Sequence, residues 1–191
     1  MLKANLIYSL ILFLLISFST QAQIQIAGIE IPQKLTYIEN EPLDVFGIGV
    51  RDFLWIDMYV GAVYLNNLQL KPHQIVEVNQ PMALRLHILS SLISNKRIIK
   101  SILDGFDKST QGNLEDYQIR IDKMINFFNK EINPGDIIDL VYNASGQTQI
   151  YRNMKHLGSI DGLDFKKALF GIWLSENPAN EGFKNDLLEG I

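Results

Sequence analysis

The stretch that most constrains this chain is Gly47 to Leu65, GIGVRDFLWIDMYVGAVYL. It is rich in β-branched and aromatic residues, lacks proline, and carries glycine only at Gly47, Gly49 and Gly61, so it reads as extended chain. A run this long has to turn on itself. Its only adjacent charges, Arg51 and Asp52, mark the expected break, giving one strand from about Asp44 to Val50 and a second from about Leu54 to Leu65. In the second strand the even positions Leu54, Ile56, Met58, Val60, Ala62 and Tyr64 form an unbroken apolar face. The odd positions Trp55, Asp57, Tyr59, Gly61 and Val63 mix aromatic, acidic and small groups. One face suits pure core; the other suits either a pocket wall or a helix-covered sheet.

The N-terminus stands apart from the fold. Leu10 to Phe18 is almost wholly apolar, a single charge (Lys3) precedes it, and Thr20-Gln21-Ala22 offers the small residues that a signal peptidase reads. Residues 1–22 are therefore expected to be a signal peptide cleaved after Ala22, leaving a domain over 23–191 in the periplasm or outside the cell. The apolar run is shorter than the roughly 20 residues that span a bilayer, so no stable membrane anchor is expected after cleavage. An uncleaved anchor is the rival reading. The chain has no cysteine, which removes disulfides, thiol nucleophiles and thiolate metal sites. Its formal net charge is -4 and its basic residues nowhere cluster beyond Lys96-Arg97 with Lys100, which excludes nucleic acid as a natural partner.

Taken in order, Ile24 to Ile31 and Lys34 to Ile38 predict an N-terminal hairpin divided at Pro32. Lys71 to Val78 predicts a short helix opened by Pro72. Met82 to Leu89 alternates strictly, with Met82, Leu84, Leu86 and Ile88 on one face and Ala83, Arg85 and His87 on the other. From Ser94 the period becomes helical. Ile98, Ile99, Ile102, Leu103 and Phe106 share one side, opposite Lys96, Arg97, Lys100 and Asp104. A second helix is expected after an Asn113 cap, with Leu114, Tyr117, Ile121, Met124, Ile125 and Phe128 as its stripe. Asn133-Pro134-Gly135-Asp136 is a turn, and Ile137 to Tyr142 with Gln147 to Tyr151 read as a hairpin. Asp161 is expected to cap a helix burying Leu163, Phe165, Leu169, Ile172 and Trp173, and Asn180 to Leu188 forms the last helix. This order predicts an α+β fold in which a large antiparallel sheet is covered by helices on one face.

The chemistry-bearing residues are few. His73, His87 and His156 lie far apart in the chain and show no metal-binding spacing, so no metal is expected. There is no GxSxG motif, and Gly47-Ile48-Gly49 leads into a strand rather than cradling a phosphate. His87 reads as an ordinary half-exposed residue. Arg51 remains, with Trp55, Asp57 and Tyr59 close in sequence. Either the guanidinium is buried and meets an anion, for which its planar fork suits a carboxylate, or it points to water or pairs with Asp52. The residues alone leave both readings open. Tyr59 and Trp55 read equally well as core aromatics.

Several stretches together resemble the chalcone isomerase-like superfamily, in particular its exported bacterial members. They are Ala27-Gly28-Ile29 to Pro32, Gly49-Val50-Arg51, the run YVGAVYL from Tyr59 to Leu65, Asn133-Pro134-Gly135-Asp136, and Phe170-Gly171-Ile172-Trp173-Leu174. The resemblance implies an open-faced β-sandwich with a ligand cleft between sheet and helices. In the true isomerases an arginine matching Arg51 orients a phenolate beside a threonine and a tyrosine. Here the threonine position is Tyr59, Gly171 falls where a helical threonine stands, and no tyrosine occurs between Lys108 and Gly112. The resemblance therefore implies no catalytic residues and no cofactor. It points instead to the fatty-acid-binding branch, in which an arginine and a tyrosine hold a lipophilic carboxylate. Arg51 and Tyr59 would take those roles, with Trp55, Met124, Phe128 and Trp173 as lining. An intramolecular lyase acting on a phenolic or enone substrate, and a structural or interaction module of the cell envelope, are the alternatives; nothing in the residues fixes an oligomeric state.

Overall fold

A computed structural model describes residues 24–36 and 42–190. The long extended stretch is divided where its two halves pair with each other.

Strand β4 (Leu43–Phe53) turns directly into β5 (Ile56–Leu65), with Phe53 opposite Ile56. The turn is Leu54-Trp55, three residues beyond the expected Arg51-Asp52. Both residues have positive φ, 49° and 66°, which is the geometry of a two-residue type I′ hairpin. Such turns favour Asn-Gly; placing residues with a Cβ in the left-handed region costs roughly 1–2 kcal/mol each. The sequence hides this turn because neither residue is a turn former. Arg51 and Asp52 instead lie within β4, where the register shifts between them.

The remaining strands are β1 (Ile24–Ile26), β2 (Ile29–Ile31), β3 (Lys34–Leu35), β6 (Met82–Ile88), β7 (Ile137–Tyr142), β8 (Gln147–Arg152) and β9 (Lys155–Asp161). β3 to β9 form one antiparallel seven-stranded sheet in chain order, and β1 and β2 pair separately. The N-terminal hairpin therefore turns at Ala27-Gly28, earlier than expected at Pro32, and the end of the expected second strand, Tyr37 and Ile38, lies outside the described residues. β9 had no sequence expectation. Its KHLGSID lacks clean alternation, and the strand exists because β8 pairs along it.

The helices are α1 (Pro72–Ile75), α2 (Asn95–Ser109), α3 (Gln118–Asn126), α4 (Leu163–Leu174) and α5 (Glu181–Leu188), with a 3-10 turn over Glu115–Tyr117. Ser94 caps α2 and Asn180 caps α5 through their side chains, as their residue types favour. α3 starts later than its apolar stripe suggests, because the 3-10 turn takes up the first residues after Asn113. Asp161 ends β9, and Gly162 precedes α4 with φ 113°.

The helix side of the sheet carries the main core, including Val63, Leu84, Leu86, Leu140 and Ile150 with Phe106, Phe165 and Phe170. The opposite side is covered by the β1–β2 hairpin, with Ile31, Val45, Val60, Ala62, Tyr64, Ala83 and Val141 buried beneath it. Both faces of β5 are thus core. The odd face, with Tyr59, Gly61 and Val63, is the one under the helices. α4 is buried nearly all round, and its Lys166 donates hydrogen bonds to the carbonyls of Ile75, Val76 and Val78 at 2.9, 2.7 and 3.1 Å. Burial pulls this ammonium down to about 8, against the opposing pull of Glu77. It closes the end of α1 where carbonyls would otherwise lack partners.

Candidate functional site

Successive residues of a strand point to opposite faces, so the cross-strand pairs Gly47/Val63, Gly49/Gly61 and Arg51/Tyr59 all face the helices. The glycines make room for α5. A methyl group at Gly61 would overlap Phe183, one at Gly47 would overlap the Leu187 carbonyl, and one at Gly49 would come within 2.8 Å of Asp186 Cβ. α5 consequently lies on bare backbone, and Phe183 reaches the next pair along the ribbon.

That pair is Arg51 and Tyr59. The Tyr59 ring meets Phe183 edge-on, with centroids 5.4 Å apart and planes at 90°. The Trp173 indole of α4 donates a hydrogen bond to the Tyr59 hydroxyl at 3.2 Å. An indole N–H only donates, so the phenol oxygen accepts here and its own proton is left to be given elsewhere. Burial pushes the Tyr59 phenol up; the Trp173 hydrogen bond and the Arg51 charge oppose this without cancelling it. At neutral pH it remains a protonated donor. Arg51, half-buried, has no ion pair or hydrogen bond among the described residues, whereas each of the other four arginines has a partner. A half-desolvated guanidinium beside a neutral phenolic donor is a pair of groups that both favour an anion.

The structure thus brings Arg51, Tyr59 and Trp173 together. Trp55 stands at the β4–β5 turn, 93% exposed, on the same ribbon but beyond the pair. Met124 and Phe128 are core side chains, 1% and 3% exposed, in the apolar cluster against which Tyr59 and Trp173 pack. Phe183 lies in the expected last helix, Asn180 to Leu188, and no residue of that helix was expected at this site. Two glycines facing one another across adjacent strands were the available signal that something packs on the backbone there. An open surface cleft of about 700 Å³ lies elsewhere, between the end of α2 and the start of α5, lined in part by Asp107, Lys108, Asn177 and Glu181. Its mixed charge favours no one ligand.

The opposite face holds a different polar arrangement. Arg85 and Asp139 face each other across β6 and β7 and form a bidentate pair, Nε to Oδ1 at 2.7 Å and Nη2 to Oδ2 at 3.2 Å, with Arg85 7% and Asp139 0% exposed. His87, on the same side of β6, is pushed down by burial and by the Arg85 charge.

Comparison with known proteins agrees with this architecture. A family model described as chalcone isomerase-like matches residues 22–189. The crystal structure of a fatty-acid binding protein from Arabidopsis thaliana superposes with a TM-score of 0.64 at 15% identity, covering 87% of this chain and 96% of that one. At that identity the likeness speaks for the fold. No curated protein sequence matches.

Proposed function

This chain belongs to the chalcone isomerase-like family, and from that membership we propose that it is an exported, non-catalytic protein that binds a lipophilic carboxylate of fatty-acid type between sheet and helices. The observation that carries this reading is the Arg51–Tyr59 pair. A half-buried guanidinium with no acidic partner among the described residues lies across the strands from a phenol whose proton is free to be donated. Arg51 supplies charge and a planar fork, Tyr59 supplies an oriented O–H, and Trp173 fixes the phenol by occupying its lone pair. A carboxylate bound there is oriented head-first. Its hydrocarbon tail then gains about 0.8 kcal/mol per CH₂ removed from water, so affinity comes from the tail and orientation from the head. The Arabidopsis protein's description as fatty-acid binding supports the ligand class.

The test is mass spectrometry of an organic extract from the protein beginning at Gln23, beside Arg51→Ala and Tyr59→Phe. Fatty acids are expected with the native protein, absent with Arg51→Ala and reduced with Tyr59→Phe, which keeps the ring but loses the donor. A native protein that carries no carboxylate and takes up none when fatty acid is added overturns the reading.

A further inference from the structure

We propose that the tip of the β4–β5 ribbon, Phe53-Leu54-Trp55-Ile56, docks this protein on a lipid bilayer by inserting its apolar side chains at the membrane surface. All four side chains are largely exposed, Leu54 at 65% and Trp55 at 93%, and they crown a protruding two-residue turn. A convex apolar point of this kind has no groove or flat face with which to match a folded partner. It does suit a soft surface that closes around it. Trp is also the side chain best fitted to the boundary between headgroups and acyl chains, because its ring is apolar and its N–H can remain solvated.

The local backbone gives a second, independent argument. Leu54 and Trp55 occupy left-handed positions that Asn-Gly would fill without strain, so the fold itself gains nothing from large apolar residues there. The other two-residue hairpin turns among the described residues show the contrast. Ala27-Gly28 supplies a glycine and Asn153-Met154 an asparagine, while Leu54-Trp55 supplies neither.

The sheet's topology adds a third. β4 ends, β5 begins, β6 ends, β8 ends and β9 begins at one end of the sheet, so Leu92 and Met154 share that rim with the tip. Met154 is 70% exposed at its own hairpin turn, four strand spacings or about 19 Å across the sheet from the β4–β5 tip. Lys155, at the start of β9, and Lys130, whose carbonyl accepts from Arg152 at the end of β8, are exposed and form no salt bridge among the described residues, but they lie well behind the protruding tip. The acidic cross-strand pair Asp52/Asp57 sits directly behind the tip. Apolar insertion, rather than attraction to anionic lipid, is therefore the main term, and binding should persist in high salt.

This docking does not depend on the ligand proposed above, although it would hold the Arg51–Tyr59 pair, on the same ribbon, toward the bilayer. Every described strand and helix lies within Ile24–Leu188, so the protein beginning at Gln23 contains all of them and is the form to test. Co-sedimentation with phosphatidylcholine vesicles is measured at low and high salt. Leu54→Asn with Trp55→Gly is expected to weaken partitioning roughly a hundredfold while holding or raising the melting temperature, since Asn-Gly suits the turn. Trp55→Asn serves as a second variant with an intermediate loss. Trp55 emission should shift to the blue on vesicles and be quenched by lipids brominated in their acyl chains. Arg51→Ala should bind vesicles as the native protein does, which separates failure of the ligand reading from failure of this one. No binding, binding only to phosphatidylglycerol vesicles and abolished by salt, or a tip-dependent self-association without vesicle binding would each overturn the proposal.

Discussion

Two arginines on opposite faces of one sheet are treated in opposite ways. Arg85, on the hairpin-covered face, is met by Asp139 on the neighbouring strand and is held in two hydrogen bonds. Arg51, on the helix-covered face, is opposite a neutral tyrosine and is left without an ion pair among the described residues. A buried charge that the fold itself satisfies serves structure. A half-buried charge that it leaves unsatisfied is available to a ligand, and the molecule keeps the two on separate sides of its backbone.

Substitutions on the two faces should separate a structural charge from one left for a ligand. The largest effect is expected from Asp139→Ala, which leaves the buried Arg85 guanidinium without its carboxylate and should cost about 3–5 kcal/mol in urea unfolding. Replacing both members by apolar residues of similar volume should recover much of that loss. A loss no larger than that of an exposed ion pair, about 0–1 kcal/mol, would remove the structural side of the contrast. Arg51→Ala should change unfolding stability by no more than about 0.5 kcal/mol, because it breaks no internal pair, even as bound carboxylate disappears. A large destabilisation there would make Arg51 structural too. The smallest effect concerns His87. Its imidazole titrates below the ordinary 6.5 in the folded protein, so as pH falls through 6.5 the unfolded chain takes up a proton before the folded one does. Stability should therefore decline slightly between pH 6.5 and the lowered folded value, and His87→Gln should flatten that slope in denaturation curves measured across the range.

The sequence was most legible where one residue type dictates one outcome. The alternation from Met82 to Leu89 became β6, the helical period after Ser94 became α2, and Asn180 capped α5. It was least legible where two distant segments decide together. Gly47, Gly49 and Gly61 looked like punctuation in a strand; they are the surface on which α5 rests, which only the position of Phe183 and Leu187 reveals. Arg85 and His87 looked like a polar, half-exposed side, yet Arg85 is buried because its partner arrives from β7, more than fifty residues later. The Leu54-Trp55 turn was missed because local turn chemistry argues against it. With that turn placed, Arg51 and Tyr59 become cross-strand neighbours by counting alone, whereas the hydrogen bond from Trp173 depends on how α4 packs.

The bare-backbone seat of α5 also bears on the order in which the molecule assembles. Sheet order follows chain order from β3 to β9, so each strand can add to an edge that has only just formed, a local route that favours rapid folding. The exception is the last helix, which must return across nearly the whole chain to cover the earliest long strand. Until those final residues arrive, the glycine track of β4 and β5 stays uncovered and Tyr59 lacks the Phe183 ring. Completion of the Arg51–Tyr59 site is thus coupled to the C-terminus, and a chain stalled or clipped before Glu181 would hold a nearly finished sheet with an unfinished site.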